Sequence, residues 1–190
     1  GHILAISNGD GVFQGFNIKP IHGGMGAQAG MQAALLPRSG YQAGPLEGLP
    51  PRYHGFMNIS SEEIDPSVLS RDLGSEWHTR NCSHKAYPVG LLNIGPVEVT
   101  AELVAENDIS ADQVAKVHVT SYSDALHFVG RHYTDTQSTF ADCYLSLPYT
   151  VAATITGGQF AVEQLTKKRI SDPAVHELAS RVEVHADEEM

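Results

Sequence analysis

The stretch Val114-Ala-Lys-Val117-His-Val119-Thr-Ser121-Tyr122 decides the fold class, because its period is two where most of its surroundings have a helical period. Ala115, Val117, Val119 and Ser121 fall on one side, and Lys116, His118, Thr120 and Tyr122 on the other, which predicts a half-buried strand. Arg181 to His185 alternates in the same way and predicts a second strand. Around them, Ile94 to Glu106 repeats Val97, Ala101 and Val104 at helical spacing, ended by Asn107-Asp108. Ser110-Ala-Asp-Gln113 has the form of a capping box, which suits a helix start or a turn. Phe140 to Thr156 predicts one long helix bent near Pro148, with Tyr144, Leu147, Val151, Ala152 and Ile155 inward and Gly157-Gly158 as its stop. Asp172-Pro173 opens another helix, since Asp caps and Pro fits the first turn. Helices interleaved with separate strands predict an α+β fold for residues 70–190, attached to helical material before it.

That earlier part is rich in glycine and small residues. Ala27 to Leu36 is a strong helix candidate in which Gly26, Gly30 and Ala34 recur every four positions, a small face suited to close helix contact. Pro37 and Gly40 stop it, and a Gly- and Pro-rich loop is expected from Ser39 to Pro51. The opening Gly1-His-Ile-Leu-Ala-Ile-Ser-Asn-Gly-Asp-Gly11 has the character of interior sequence and predicts a piece of a longer chain.

Composition removes several function classes. The 190 residues, 42% hydrophobic and 18% charged, are those of a globular chain. With 22 acidic against 12 basic side chains and a net charge of −10, nucleic acid is not an expected partner. The most apolar segment, Ser146 to Val162, is interrupted by Pro148, several threonines and Gly157-Gly158, so no membrane span is expected. Cys82 and Cys143 cannot build a disulfide framework and predict free thiols in a reducing cytoplasm. The ten histidines show no HExxH and no pair at i and i+4, so no metal site is expected from spacing. Gly23-Gly24-Met25-Gly26 does not fit GxGxxG, which sets dinucleotide binding aside, and no GxSxG nucleophile motif is present.

Two segments carry more chemistry. The chain has five lysines, and two of them stand beside His and Pro just before expected helices: Asn17-Ile-Lys19-Pro-Ile-His22-Gly-Gly and Ser83-His84-Lys85-Ala-Tyr87-Pro88. A lysine before a helix N-terminus suits an anion, because the helix dipole and unpaired amides attract the same charge.

At these segments the sequence resembles the MmgE/PrpD family of 2-methylcitrate dehydratases, cis-aconitate decarboxylases and iminodisuccinate epimerases. Lys19-Pro-Ile-His22-Gly-Gly-Met-Gly-Ala27-Gln-Ala-Gly30 is similar to the family's KPLHxGxAAxxG helix start, and Ser83-His-Lys85-Ala-Tyr87-Pro88 to its S-x-K-P/R-Y/F-P segment. Ser146-Leu-Pro-Tyr149-Thr-Val-Ala152 and Asp172-Pro-Ala-Val175-His-Glu-Leu178 match later landmarks in order. The resemblance implies the end of an all-helical domain over residues 1–58, followed by an α+β lid domain over 59–190. It implies an active site between the two, with Lys19, His22 and Lys85 as catalytic residues, His84 and Tyr87 as substrate contacts, and neither metal nor organic cofactor. The implied substrate is a small di- or tricarboxylate, and the implied assembly is a homo-oligomer or a companion chain carrying the missing helices. Decarboxylases of the family carry a histidine five positions after the second motif lysine, where this chain has Gly90, so a dehydratase, an epimerase or a family member of another activity is implied instead. The alternative is a non-catalytic lid fragment that acts in assembly or binds carboxylates weakly.

Overall fold

The structure, a computed structural model, describes residues 19–46, 48–49, 53–55, 57, 63, 65–130, 133 and 139–187. It divides into two compact units, one of Gly24–His84 and the other of Lys85–Met190 together with Gly1–Gly23.

The larger unit is α+β, as expected. Helix α2 runs Ile94–Asn107 and ends on Asp108 in the left-handed conformation (φ 51°). Strand β3 (Val117–Ser121) and strand β4 (Val182–Ala186) form a parallel pair in which Val117 faces Val182 and His118 faces Glu183. Between them come α3 (Ser123–Phe128), α4 (Phe140–Leu145), α5 (Leu147–Gly157), α6 (Lys167–Ile170) and α7 (Pro173–Ala179). The expected alternation is present, with Val182 buried, Val117 and Val119 half-buried, and His118 and Thr120 exposed. The strand begins at Val117 rather than Val114 because the capping box closes a single 3-10 turn, Ala111–Gln113. There the Ser110 N–H donates to Gln113 Oε1 at 2.9 Å.

Helix α5 is the centre of the core. Every residue from Leu147 to Ile155 is buried, and α2, α4, α7 and β4 pack around it. Its two buried threonines satisfy themselves within the helix: Thr150 Oγ1 donates to Leu147 O at 3.1 Å and Thr154 Oγ1 to Thr150 O at 2.7 Å. Tyr149 donates its hydroxyl to Gln164 O at 2.7 Å, and burial pushes its phenol above the usual range.

The single bent helix expected over 140–156 is two helices, and the reason is chemical. Pro148 has no N–H for the carbonyl of Tyr144, four residues back. That carbonyl accepts instead from the Gly90 N–H at 2.9 Å and from Asn93 Nδ2 at 3.3 Å. Ser146, extended at ψ 117°, breaks the chain and caps α5 by accepting from the Tyr149 N–H at 3.2 Å. The other expected stops are as read: Gly158 (φ 75°) ends α5, and Asp172 Oδ1 accepts from the Ala174 N–H at 3.1 Å to start α7. Gly130 ends the α3 segment where a Cβ would lie 2.8 Å from Leu126 Cα and 2.9 Å from Val184 Cγ1, so only glycine lets this turn meet β4.

Helix α1 spans Lys19–Arg38, longer than the expected Ala27–Leu36; its residues up to Gly23 are counted with the larger unit and the rest with the smaller. Pro20 fits a first turn, and four glycines that disfavour helix by about 1 kcal/mol each are nonetheless accommodated. The helix runs through Pro37 to Arg38, two residues past the expected end, and the stop falls at Gly40 (φ 87°), which donates to Pro37 O at 3.0 Å while Tyr41 donates to Leu36 O at 3.2 Å. The small face is not in close helix contact, since a Cβ added at Gly24, Gly26 or Gly30 meets nothing within 4 Å among the described residues. In the expected loop, Gly48–Leu49 forms a two-residue strand, β1, antiparallel to β2 (Tyr53–His54). Among the described residues no helix is long and apolar enough to cross a membrane.

Candidate functional site

The segment that carries Lys85 follows a 3-10 turn, His78–Asn81, and leads through a tight bend to a second one, Leu91–Asn93, at the foot of α2. The bend is closed by Val89 N donating to Tyr87 O at 2.9 Å, and it is pinned to α4 by the bond from Gly90 to the freed Tyr144 carbonyl. Val89 is fully buried and Tyr87 packs, half-buried, against the same core. The fold thus fixes the backbone on which Lys85 stands. Lys85 is itself exposed and reaches forward over the bend, donating from Nζ to Val89 O at 2.7 Å. The ammonium is therefore held above a turn whose carbonyl partly meets its hydrogen-bonding needs.

Helix α2 starts at Ile94, so Lys85 is not at a helix N-terminus as the spacing predicts; the bend and the 3-10 turn intervene. Lys19 is not ahead of a helix either but part of α1, and its side chain lies outside the described residues. His22, one turn further along α1, is half-buried, and its Nε2 is shielded from solvent with no hydrogen-bond partner among the described residues. His84 is exposed, next to Lys85 in sequence.

Gly90 is buried, and the structure gives a steric reason for glycine there. A Cβ would stand 3.3 Å from Leu145 Cδ2 and 3.7 Å from both Asn93 Nδ2 and the Tyr144 carbonyl oxygen. A side chain there therefore requires the Leu145 methyl to give by a few tenths of an ångström. A cleft of about 350 Å³ opens beside this point, lined by Leu91, Phe128, Val129 and Leu145 with Asp124 as its one charged group. Its apolar walls and carboxylate do not suit an anionic substrate.

One cluster of chemistry-bearing side chains was not anticipated. On the outer face of the β3–β4 pair, His118 Nδ1 lies 3.2 Å from His185 Nε2, and Glu183 Oε2 lies 3.7 Å from each. Lys116 holds the other oxygen of Glu183 at 2.7 Å, and that bond keeps the carboxyl below its usual range. The sequence signals were Glu183-Val-His185, spaced as same-side neighbours on a strand, and His118 on the polar side of β3. Their meeting depends on a parallel register between distant segments, which no local pattern reveals.

The sequence profile of the MmgE/PrpD C-terminal domain matches residues 87–190, more than half of the chain. The match begins at Tyr87, two residues after Lys85, and takes in every element from α2 to β4. No curated protein gives a significant match. With this span matched and the expected α+β architecture in place, the chain belongs to the MmgE/PrpD family, of which residues 87–190 form the C-terminal domain.

Proposed function

We propose that the chain is part of a cofactor-independent lyase or isomerase that removes a proton next to a carboxylate of a small di- or tricarboxylic acid. The observation that carries this reading is the family match over 87–190, which adjoins the Lys85-Ala-Tyr87-Pro88 segment. In this reading residues 1–58 are the end of the helical domain, and 59–190 are the lid. Lys19 and Lys85 supply positive charge to the carboxylates and to the developing carbanion, because that carbon is a poor acid and the charge needs fixed cations. His22 takes the proton, its Nε2 having no hydrogen-bond partner among the described residues. His84 and Tyr87 contact the substrate. For dehydration, the C–H electron pair forms the new double bond and the neighbouring hydroxyl leaves, protonated, as water. For epimerisation, the proton returns on the opposite face. Gly90 stands where the family's decarboxylases carry a histidine, which supports these two outcomes over decarboxylation.

The reading extends to a homo-oligomer, or a companion chain that supplies the remaining helices, and to a reducing compartment, which the two free thiols favour. A second reading, a lid that acts in assembly without turnover, is favoured by the position of Lys85, whose ammonium is bonded to its own bend at Val89.

Solvent deuterium incorporation followed by NMR decides between them. The panel is 2-methylcitrate, citrate, cis-aconitate, tartrate and aspartate-like acids, with Lys85→Ala as control. Exchange or turnover that Lys85→Ala abolishes, with circular dichroism unchanged, is the expected result. Folded protein that exchanges none of these acids, or a variant that matches the parent, overturns the catalytic role of this chain.

A further inference from the structure

The His118–Glu183–His185 cluster stands independently of the catalytic reading. Parallel pairing sets His118 of β3 opposite Glu183 of β4, and His185 lies two residues on, on the same outer face. All three side chains are about half exposed, so the core does not require them to meet. Two imidazoles and a carboxylate nonetheless bring one potential ligand atom each within 3.7 Å of the others. The separations of these atoms are 3.2, 3.7 and 3.7 Å, which is close to the spacing of ligand atoms around a tetrahedral ion. The nearest point equidistant from three atoms so separated lies in their plane, about 2.1 Å from each, and zinc binds nitrogen and carboxylate oxygen at about 2.0–2.2 Å.

Other features of the cluster fit a cation. The imidazoles are stacked with their planes 27° apart. Two nitrogens this close either share one proton or direct both lone pairs at one positive centre. Lys116 binds Oε1 of Glu183 and leaves Oε2 to the imidazoles, so it orients the carboxylate as an outer partner does around a ligand. The overall charge of −10 raises the local concentration of cations.

We propose that His118 Nδ1, His185 Nε2 and Glu183 Oε2 form a surface site for a zinc-class divalent ion. Two imidazoles and a carboxylate favour zinc and the later first-row ions over magnesium or calcium, which take oxygen donors. Three protein donors leave at least one position for water or an external ligand. The ion bridges β3 and β4 on the face opposite the core.

The test uses the full chain in metal-free buffer. Calorimetric titration with zinc chloride is compared with the visible absorption of bound cobalt(II), for the parent and for His118→Ala, His185→Ala and Glu183→Gln. Circular dichroism monitors the fold, and His118→Gln serves if His118→Ala unfolds. The expected result is one ion per chain with a tetrahedral cobalt spectrum, weakened ~10-fold or more by either histidine substitution and less by Glu183→Gln. No binding by the parent overturns the site. Parent-like affinity in both folded histidine variants overturns it too, because other histidines then hold the metal.

Discussion

Helices α5 and α1 are helical for opposite reasons. Helix α5 contains Thr150, Val151, Thr154, Ile155 and Thr156, β-branched residues that lose rotamer freedom in a helix, yet it is the most buried element of its unit. Helix α1 has an alanine-rich second half, whose intrinsic preference for helix is strong, but it presents Met31 (65% exposed), Leu35 (51%) and Leu36 (48%) to solvent. In the first case tertiary packing overrides a poor local preference. In the second, local preference has no packing among the described residues to add to it. An apolar pattern therefore marks a helix reliably, while its place in the core depends on what surrounds it.

The sharpest way to break this contrast is truncation. Leu147→Ala, at the start of α5, is expected to lower unfolding stability by about 2–5 kcal/mol in denaturant titration. Leu35→Ala on α1 is expected to stay within about 0.5 kcal/mol of the parent. A large loss at Leu35 would show that α1 is covered in solution and would erase the difference.

Glycine substitutions sharpen the comparison with opposite signs. At Gly130 a Cβ meets Leu126 Cα and Val184 Cγ1 inside 3 Å, so Gly130→Ala is expected to cost about 1–3 kcal/mol. At Gly30 in α1 the space is open, and Gly30→Ala is expected to stabilise the helix by about 0.5–1 kcal/mol. Paired thermal melts read both, and equal signs would contradict close packing at Gly130 and open space at Gly30.

The smallest effect involves no substitution. Cys82, in the smaller unit, is exposed; Cys143, in α4, is fully buried, and burial, aided by the neighbouring Asp142 charge, pushes its thiol up to about 12. Thiol reagent at pH 8 should therefore modify one cysteine in native protein and two after denaturation. A thiol whose folded pKa is raised favours the folded state fully below its ordinary value of 9.0, and that contribution is lost as pH rises from there through about 12. Rapid native modification at Cys143 would mean that α4 opens readily.

The limits of sequence reading have a common physical origin. Val117 to Ser121, Val182 to His185, the Asp172 cap and the Gly158 stop were legible because each is decided within a few residues. The break at Ser146 was not, because Pro148 permits a bend or a full interruption. The choice falls to Gly90 and Asn93, distant in sequence, which take the Tyr144 carbonyl. The site residues divide in the same way. Lys85 and Tyr87 stood out by local composition and resemblance, but the bond from Lys85 to Val89 belongs to a bend that spacing does not specify. His118, Glu183 and His185 were invisible as a group because a one-residue change of register would separate them.

The parallel pairing of β3 with β4 also sets an order of events during folding. Position 117 meets position 182 only after the intervening chain has been brought round, and that loop closure must be met before any ladder bond forms. Helices α2 and α5 can gain structure from local contacts, whereas the two-stranded sheet depends on their docking. The sheet is therefore a late-forming seal on the domain, and the three side chains on its outer face come together only when the rest of the core is already in place.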